Sequence, residues 1–220
     1  MRLYLSSFRF GDRFDLLLAM LGQGARAGVI ANALDHLPAA DREAYARHVH
    51  DPVAELRAHG VDASDLDLRR YFGNGAGLAD ALSQLDLVWV TGGNAFLLRR
   101  AMRQSGFDVL APQRIAEDRL AYGGWSAGAV VATPNLRGIE LMDDPSQLAE
   151  GYDAAPVWDG LNLIPFHLVP HYDSPHPDSA AADKVAVYML DQAMPYRTLR
   201  DGDVLIRDAE GIRAYERQSP

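Results

Sequence analysis

Tyr122-Gly123-Gly124-Trp125-Ser126-Ala127-Gly128-Ala129-Val130-Val131 joins a short apolar run to helix-forming residues through a turn bounded by glycines. Gly124-x-Ser126-x-Gly128 has the pattern of a nucleophile elbow, in which small flanking residues permit a sharp strand-to-helix turn that presents a serine hydroxyl to substrate. The helix that follows aims unpaired backbone N–H groups at the same point. Ser126 is therefore the candidate nucleophile, and a strand running into a helix at this turn predicts an α/β fold. A plain glycine-rich turn would read the same way, so the partners of Ser126 must decide.

Outward from this turn, short apolar runs alternate with longer amphipathic stretches, as expected of βα units around a mostly parallel sheet. Residues 3–6, 27–30, 87–90 and 120–124 read as strands. Residues 13–21, 41–59 with a break at Pro52, 78–82, 95–104, 109–118 and 179–192 read as helices. Near-alternation over 63–72 predicts a further strand, placed at an edge by Asp65, Asp67, Arg69 and Arg70. Residues 161–169 are apolar and lead to Pro170-His171. Residues 204–207 and 212–215 flank a turn and predict a C-terminal β-hairpin. Residues 134–162 have few periodic apolar positions and many Asp, Pro, Gly and Gln, the composition of a long functional loop. The expectation is one α/β domain over 1–220, three layers deep, with a mostly parallel sheet flanked by helices.

Of the 220 residues, 48% are hydrophobic and 23% charged, which suits a globular chain with one sizeable core. Lys plus Arg number 21 against 30 Asp plus Glu, and a net charge of −9 disfavours nucleic acid as a partner. The absence of cysteine removes disulfides, thiolate metal sites and a cysteine nucleophile together. No apolar run approaches the length of a membrane span, and the first ten residues are too interrupted for a secretory segment. A cytoplasmic location without membrane contact is expected.

A serine hydroxyl attacks a carbonyl only with a base beside it. Of the seven histidines, His171 follows the strand-like run 161–169, which would set it at a strand's carboxyl end next to the Ser126 turn. His48, His59 and His167 lack that placement. His167, His171 and His176 with Asp173 and Asp178 are metal-ligand types, but Pro165, Pro170, Pro175 and Pro177 forbid the helix that would align them. Neither a metal nor a cofactor is expected. The long loop supplies Glu140, Asp143, Asp144 and Glu150 as candidates for the acid that orients the imidazole.

Three motifs now stand in a fixed order: Val90-Thr91-Gly92-Gly93-Asn94, then Gly124-Trp125-Ser126-Ala127-Gly128-Ala129, then Leu161-Asn162-Leu163-Ile164-Pro165-Phe166 with Pro170-His171-Tyr172. Over residues 87–172 the chain resembles the peptidase E family of serine dipeptidases. That family is similar in fold to class I glutamine amidotransferases and uses serine where they use cysteine. The resemblance implies Ser126 as nucleophile, His171 as base, and the backbone N–H groups of Gly93 and Ala127 as oxyanion donors, with Asn94 beside them for substrate. It implies an acid soon after the nucleophile helix: Asp143 first, with Asp144 and Glu140 as alternates.

Family members that cleave aspartyl dipeptides carry an arginine after the catalytic histidine. The corresponding stretch here, Ser179-Ala180-Ala181-Ala182-Asp183-Lys184-Val185, has none, and Lys184 is the nearest cationic substitute. The implied activity is hydrolysis of dipeptides or short peptides through an acyl-enzyme, with an N-terminal preference that need not be Asp. Two alternatives stay open: a cyanophycinase-like amidohydrolase, and a non-catalytic amidotransferase-like binding module. A homodimer is also left open.

Overall fold

The chain runs through β1 (Leu3–Ser6), α1 (Phe14–Leu21), β2 (Arg26–Ile30), α2 (Ala39–His48), α3 (Pro52–Ala58), β3 (Asp62–Asp65), α4 (Gly75–Ser83), β4 (Leu87–Val90), α5 (Ala95–Ser105) and α6 (Phe107–Ala116). It continues through β5 (Ala121–Trp125), α7 (Ala127–Val130), β6 (His167–Val169), α8 (Ser179–Asp191), β7 (Tyr196–Thr198), β8 (Val204–Asp208) and β9 (Gly211–Tyr215). The structure is a computed structural model and describes residues 1–218.

Seven strands form one sheet in the order β3-β2-β4-β5-β1-β8-β9. The first five are parallel, while β8 and β9 add an antiparallel extension beside β1. Parallel strands must be covered on both faces, which is why Leu87-Val88-Trp89-Val90 is apolar throughout and fully buried. Alternate side chains go to opposite sides. Val88, Val90 and Tyr122 pack with α4, α5, α6, α7 and α8, whereas Leu87, Trp89 and Trp125 pack with Leu17 of α1 and Leu56 of α3. This gives the expected three layers and the C-terminal hairpin.

Two sequence readings change. The strand expected over 63–72 stops at Asp65, because Asp67 accepts the Arg69 N–H at 3.0 Å and turns the backbone into a short 3-10 segment, Leu68–Tyr71. β3 pairs only with β2 and so is an edge, as its charges indicated. Residues 161–169 yield only three strand residues. Asn162 takes φ +53 and Pro165 has no donor, so pairing begins at His167, where β6 joins β7 in a separate two-stranded sheet.

Residues 134–162 form the long irregular stretch, with one 3-10 turn at Ile139–Leu141. Its carbonyls are held from α5. Arg100, fully buried, donates to the Pro145 and Ala154 oxygens at 2.7 and 2.9 Å, and Arg99 donates to the Asp159 oxygen at 2.8 Å. Charged donors thereby satisfy loop carbonyls that a buried irregular backbone would otherwise leave unpaired. On the far side the Tyr152 hydroxyl donates to Asp35 at 2.5 Å.

Candidate active site

The carboxyl ends of β4, β5 and β1 lie side by side, with Val90 opposite Gly124 and Ser6 opposite Trp125. Ser126 leaves β5 with φ +49 and ψ −117, a conformation that costs a non-glycine residue about 1–3 kcal/mol. Its surroundings hold it there. The Ser126 N–H donates to the Ser7 carbonyl at 3.1 Å, and its own carbonyl accepts the N–H groups of Ala129 and Val130, each at 2.9 Å. Gly128 makes the turn possible, since a Cβ at that position would stand 2.2 Å from the Val90 carbonyl oxygen.

Ser126 Oγ is 3.0 Å from Nε2 of His171, and Nδ1 of His171 is 2.8 Å from Oδ1 of Asp201. With the carboxylate accepting at Nδ1–H, Nε2 is left to accept the serine proton. Ser7 completes the arrangement: its hydroxyl accepts the His171 backbone N–H and donates to the same Asp201 oxygen, both at 2.8 Å. The Asp201 N–H in turn donates to Ser174 Oγ at 2.8 Å. His171 is 1% exposed and Asp201 16%. Burial works to raise the Asp201 carboxyl, but hydrogen bonds from His171 and Ser7 outweigh it and hold it below the usual carboxylate range.

The carboxylate on His171 is thus Asp201, and the expectation of Asp143, Asp144 or Glu140 in that place is corrected. The physical reason is the route of residues 134–162, which the α5 arginines hold on the α5 side of the nucleophile. Asp143 Oδ2 accepts the Ala95 N–H at the start of α5, at 2.8 Å. Asp144 is exposed and accepts the N–H and hydroxyl of Ser146 at 2.8 and 2.7 Å, an ordinary turn contact. Glu140 is half-buried, with Oε2 unpartnered, and Glu150 is exposed; neither reaches the imidazole.

Sequence reading missed Ser7 and Asp201. Ser7 had a usable signal, since it directly follows β1 and so stands at a carboxyl end of the parallel sheet.

Gly93 adopts φ +130, and a Cβ there would lie 2.7 Å from the Ala33 carbonyl oxygen. The N–H groups of Gly93 and Ala127 have no acceptor among the described residues, as an oxyanion site requires. Asn94 lines the cavity; its Oδ1 accepts the Leu97 N–H and its Nδ2 donates to the Asp144 carbonyl, both at 2.9 Å, so it caps α5 and ties down the loop. Lys184 is exposed on α8 and stands outside the cavity that opens at Ser126. That cavity encloses about 800 Å³, with Phe8, Leu34, Tyr45, Trp125, Ile139 and Met142 among its apolar walls.

His176 stacks on His171 with ring centres 3.6 Å apart and planes 8° from parallel, and Phe8 packs edge-on against both. Burial and the nearby His171 hold the His176 imidazole below its usual range. His171, His176 and Asp178 are close enough to share an ion. Parallel imidazoles, however, direct their in-plane lone pairs into separate planes, and both His171 nitrogens already have partners. The residues present do not fit a metal.

An α/β sheet with a hydrogen-bonded serine, histidine and aspartate at its strand ends defines a hydrolytic class. The chain belongs to peptidase family S51, whose family model matches residues 15–214. It is 33% identical over 215 residues to the peptidase E of Streptomyces coelicolor, covering 90% of this chain and 82% of that one. It is 32% identical over 172 residues to the uncharacterized peptidase PM1590 of Pasteurella multocida, covering 76% and 75%. A match to the uncharacterized peptidase Lin0382 of Listeria innocua is 38% identical but covers only 40% of each chain.

A crystal structure of a Listeria monocytogenes protein provisionally described as a peptidase E superposes with a TM-score of 0.78 at 24% identity, covering 99% of this chain and 98% of that one. That likeness bears on the fold. No helix among the described residues is long and apolar enough to cross a membrane.

Proposed function

We propose that this chain is a serine-type dipeptidase that cleaves dipeptides or other short cytoplasmic peptides through an acyl-enzyme on Ser126. The observation that carries this reading is the continuous hydrogen-bonded path from Ser126 Oγ through His171 to Asp201. His171 Nε2 takes the hydroxyl proton as Ser126 Oγ bonds to the scissile carbonyl carbon, and the carbonyl oxygen becomes an oxyanion facing the N–H groups of Gly93 and Ala127. Each such donor contributes about 3 kcal/mol to lowering the barrier in serine hydrolases of known mechanism. The C–N bond then breaks as His171 passes its proton to the leaving amine. Water, deprotonated by His171, hydrolyses the ester and frees Ser126. Asp201 stays ionised throughout and stabilises the imidazolium.

The cavity lining gives no support to an aspartyl preference: among the described residues no Lys or Arg lines it, and the Arg9 guanidinium lies 4.8 Å from the ring centre of Phe8, a wall residue. Reaction with a serine-directed phosphonate tests the nucleophile. Wild-type protein should be labelled at Ser126 and should hydrolyse members of an X-Leu dipeptide panel, while Ser126→Ala should do neither and remain folded. Folded wild-type protein that takes no label and cleaves nothing would leave only a binding module. Labelling accompanied by cleavage of side-chain-linked amides alone would instead favour the amidohydrolase.

A further inference from the structure

One ionisable group in the cavity has no part in the hydrolytic steps above. Asp143 shares the cavity with Ser126, and the Ala95 N–H is the one hydrogen-bond partner of its carboxylate among the described residues. That contact fixes the carboxyl at the N-terminal end of the eleven-residue α5, where the helix field favours a negative charge. The surroundings oppose it. Burial raises the carboxyl to about 7, and the negative charge of Asp178 adds to the effect. Asp144, Asp178 and Asp201 also line the cavity, and among the described residues no Lys or Arg does; Arg9 lies over the ring of Phe8, a wall residue.

A carboxylate held in place by a backbone N–H, partly desolvated and without a counter-ion, is complementary to a cation carried in by the ligand. An acidic side chain placed beside Asp143 would add a further negative charge to a group of four cavity carboxylates, at a cost that grows in a partly desolvated site. In a peptide's first residue a primary ammonium stands in two places: the α-ammonium at the N-terminus and the side-chain ammonium of a lysine-like residue.

Resting on the peptidase reading above, we infer that Asp143 is a specificity-determining residue that receives a primary ammonium of the substrate. Asp201, not Asp143, serves His171, so the two carboxylates divide the work between chemistry and recognition. Asn94 supports the second of these, because its bond to the Asp144 carbonyl fixes the backbone next to Asp143.

Steady-state hydrolysis of Ala-Leu, Lys-Leu and Nα-acetyl-Ala-Leu by wild type and Asp143→Asn tests the assignment. Loss of one partner from a desolvated charge pair typically costs enough to change affinity by about 100-fold. Asp143→Asn should therefore raise KM for ammonium substrates by about that factor while kcat changes little. If the α-ammonium is the group received, Ala-Leu and Lys-Leu lose together, and wild type should cleave the acetylated peptide far less efficiently than Ala-Leu. If the side-chain ammonium is received, only Lys-Leu loses.

Unchanged KM for both free-amine peptides in Asp143→Asn would overturn the assignment. So would equal wild-type efficiency on all three peptides, a comparison that needs no variant. Phosphonate labelling separates the two readings. A wild type that labels but shows no ammonium preference sinks the Asp143 assignment alone, whereas one that does not label sinks the peptidase reading first.

Discussion

Asp201 fixes the tautomer of His171, and its contact with Ser7 brings the end of β1 into the same network. Asp201→Asn keeps the shape but offers His171 the wrong hydrogen-bonding partner, and on the proposed mechanism kcat should fall by about four orders of magnitude, as in serine proteases of known mechanism. Steady-state kinetics on a cleaved dipeptide would check this; a loss under tenfold would remove Asp201 from the role. Asp143 answers to a different measurement. Its carboxyl is raised from an ordinary 3.8 to about 7, so ionisation costs the folded state stability that the unfolded chain does not lose. The cost is absent below about pH 4, grows as pH rises to about 7, and is constant above. Asp143→Asn should accordingly gain stability relative to wild type as pH rises from about 4 to about 7, read as a difference in melting temperature that widens over that range and then levels off. A difference that does not change with pH would contradict the raised value. Ser126 and His171 were legible in the sequence because each carries a local mark, a glycine-bounded turn and a strand end. Asp201 carries none. It lies 30 residues beyond His171, in a turn whose relevance appears only when β8 docks beside β1.

At the scale of elements, the parallel strands were legible because burial on both faces demands unbroken apolar runs such as Leu87-Val88-Trp89-Val90. β7 was not, since it is three residues long, half exposed and paired only with β6. The short α7 draws its position from close backbone packing, not from its own length. Gly128 touches the Val90 carbonyl, and the Tyr122 hydroxyl, buried on β5, donates to the Gly128 carbonyl at 2.6 Å. Gly128→Ala sets a methyl group against backbone that cannot move without shifting β4. Overpacking of this kind typically costs about 1–3 kcal/mol. Chemical denaturation should show a loss of that order together with loss of phosphonate labelling, and a variant of wild-type stability would mean that the turn is looser than described.

Across the whole molecule, the three-layer architecture followed from the alternation of apolar runs and amphipathic stretches, but the path of residues 134–162 did not. That path is fixed by Arg99 and Arg100, which in sequence look like ordinary cations on an amphipathic helix and in the fold are buried against loop carbonyls. The groups that act together come from distant points: Ser7 after the first strand, Ser126 in the middle, His171 beyond the loop and Asp201 next to the final hairpin. On the mechanism proposed above, a chain that had assembled its central sheet but not yet docked β8 would hold a shaped turn whose serine lacks the Asp201-held base and reacts far more slowly. During refolding, reactivity toward the phosphonate should lag behind recovery of the sheet signal and arrive with the hairpin; simultaneous recovery would show that Asp201 is not needed to wake the serine. On the mechanism proposed above, the antiparallel extension would set the timing of activity: cutting of peptide bonds would begin only after the chain's own backbone had been put away.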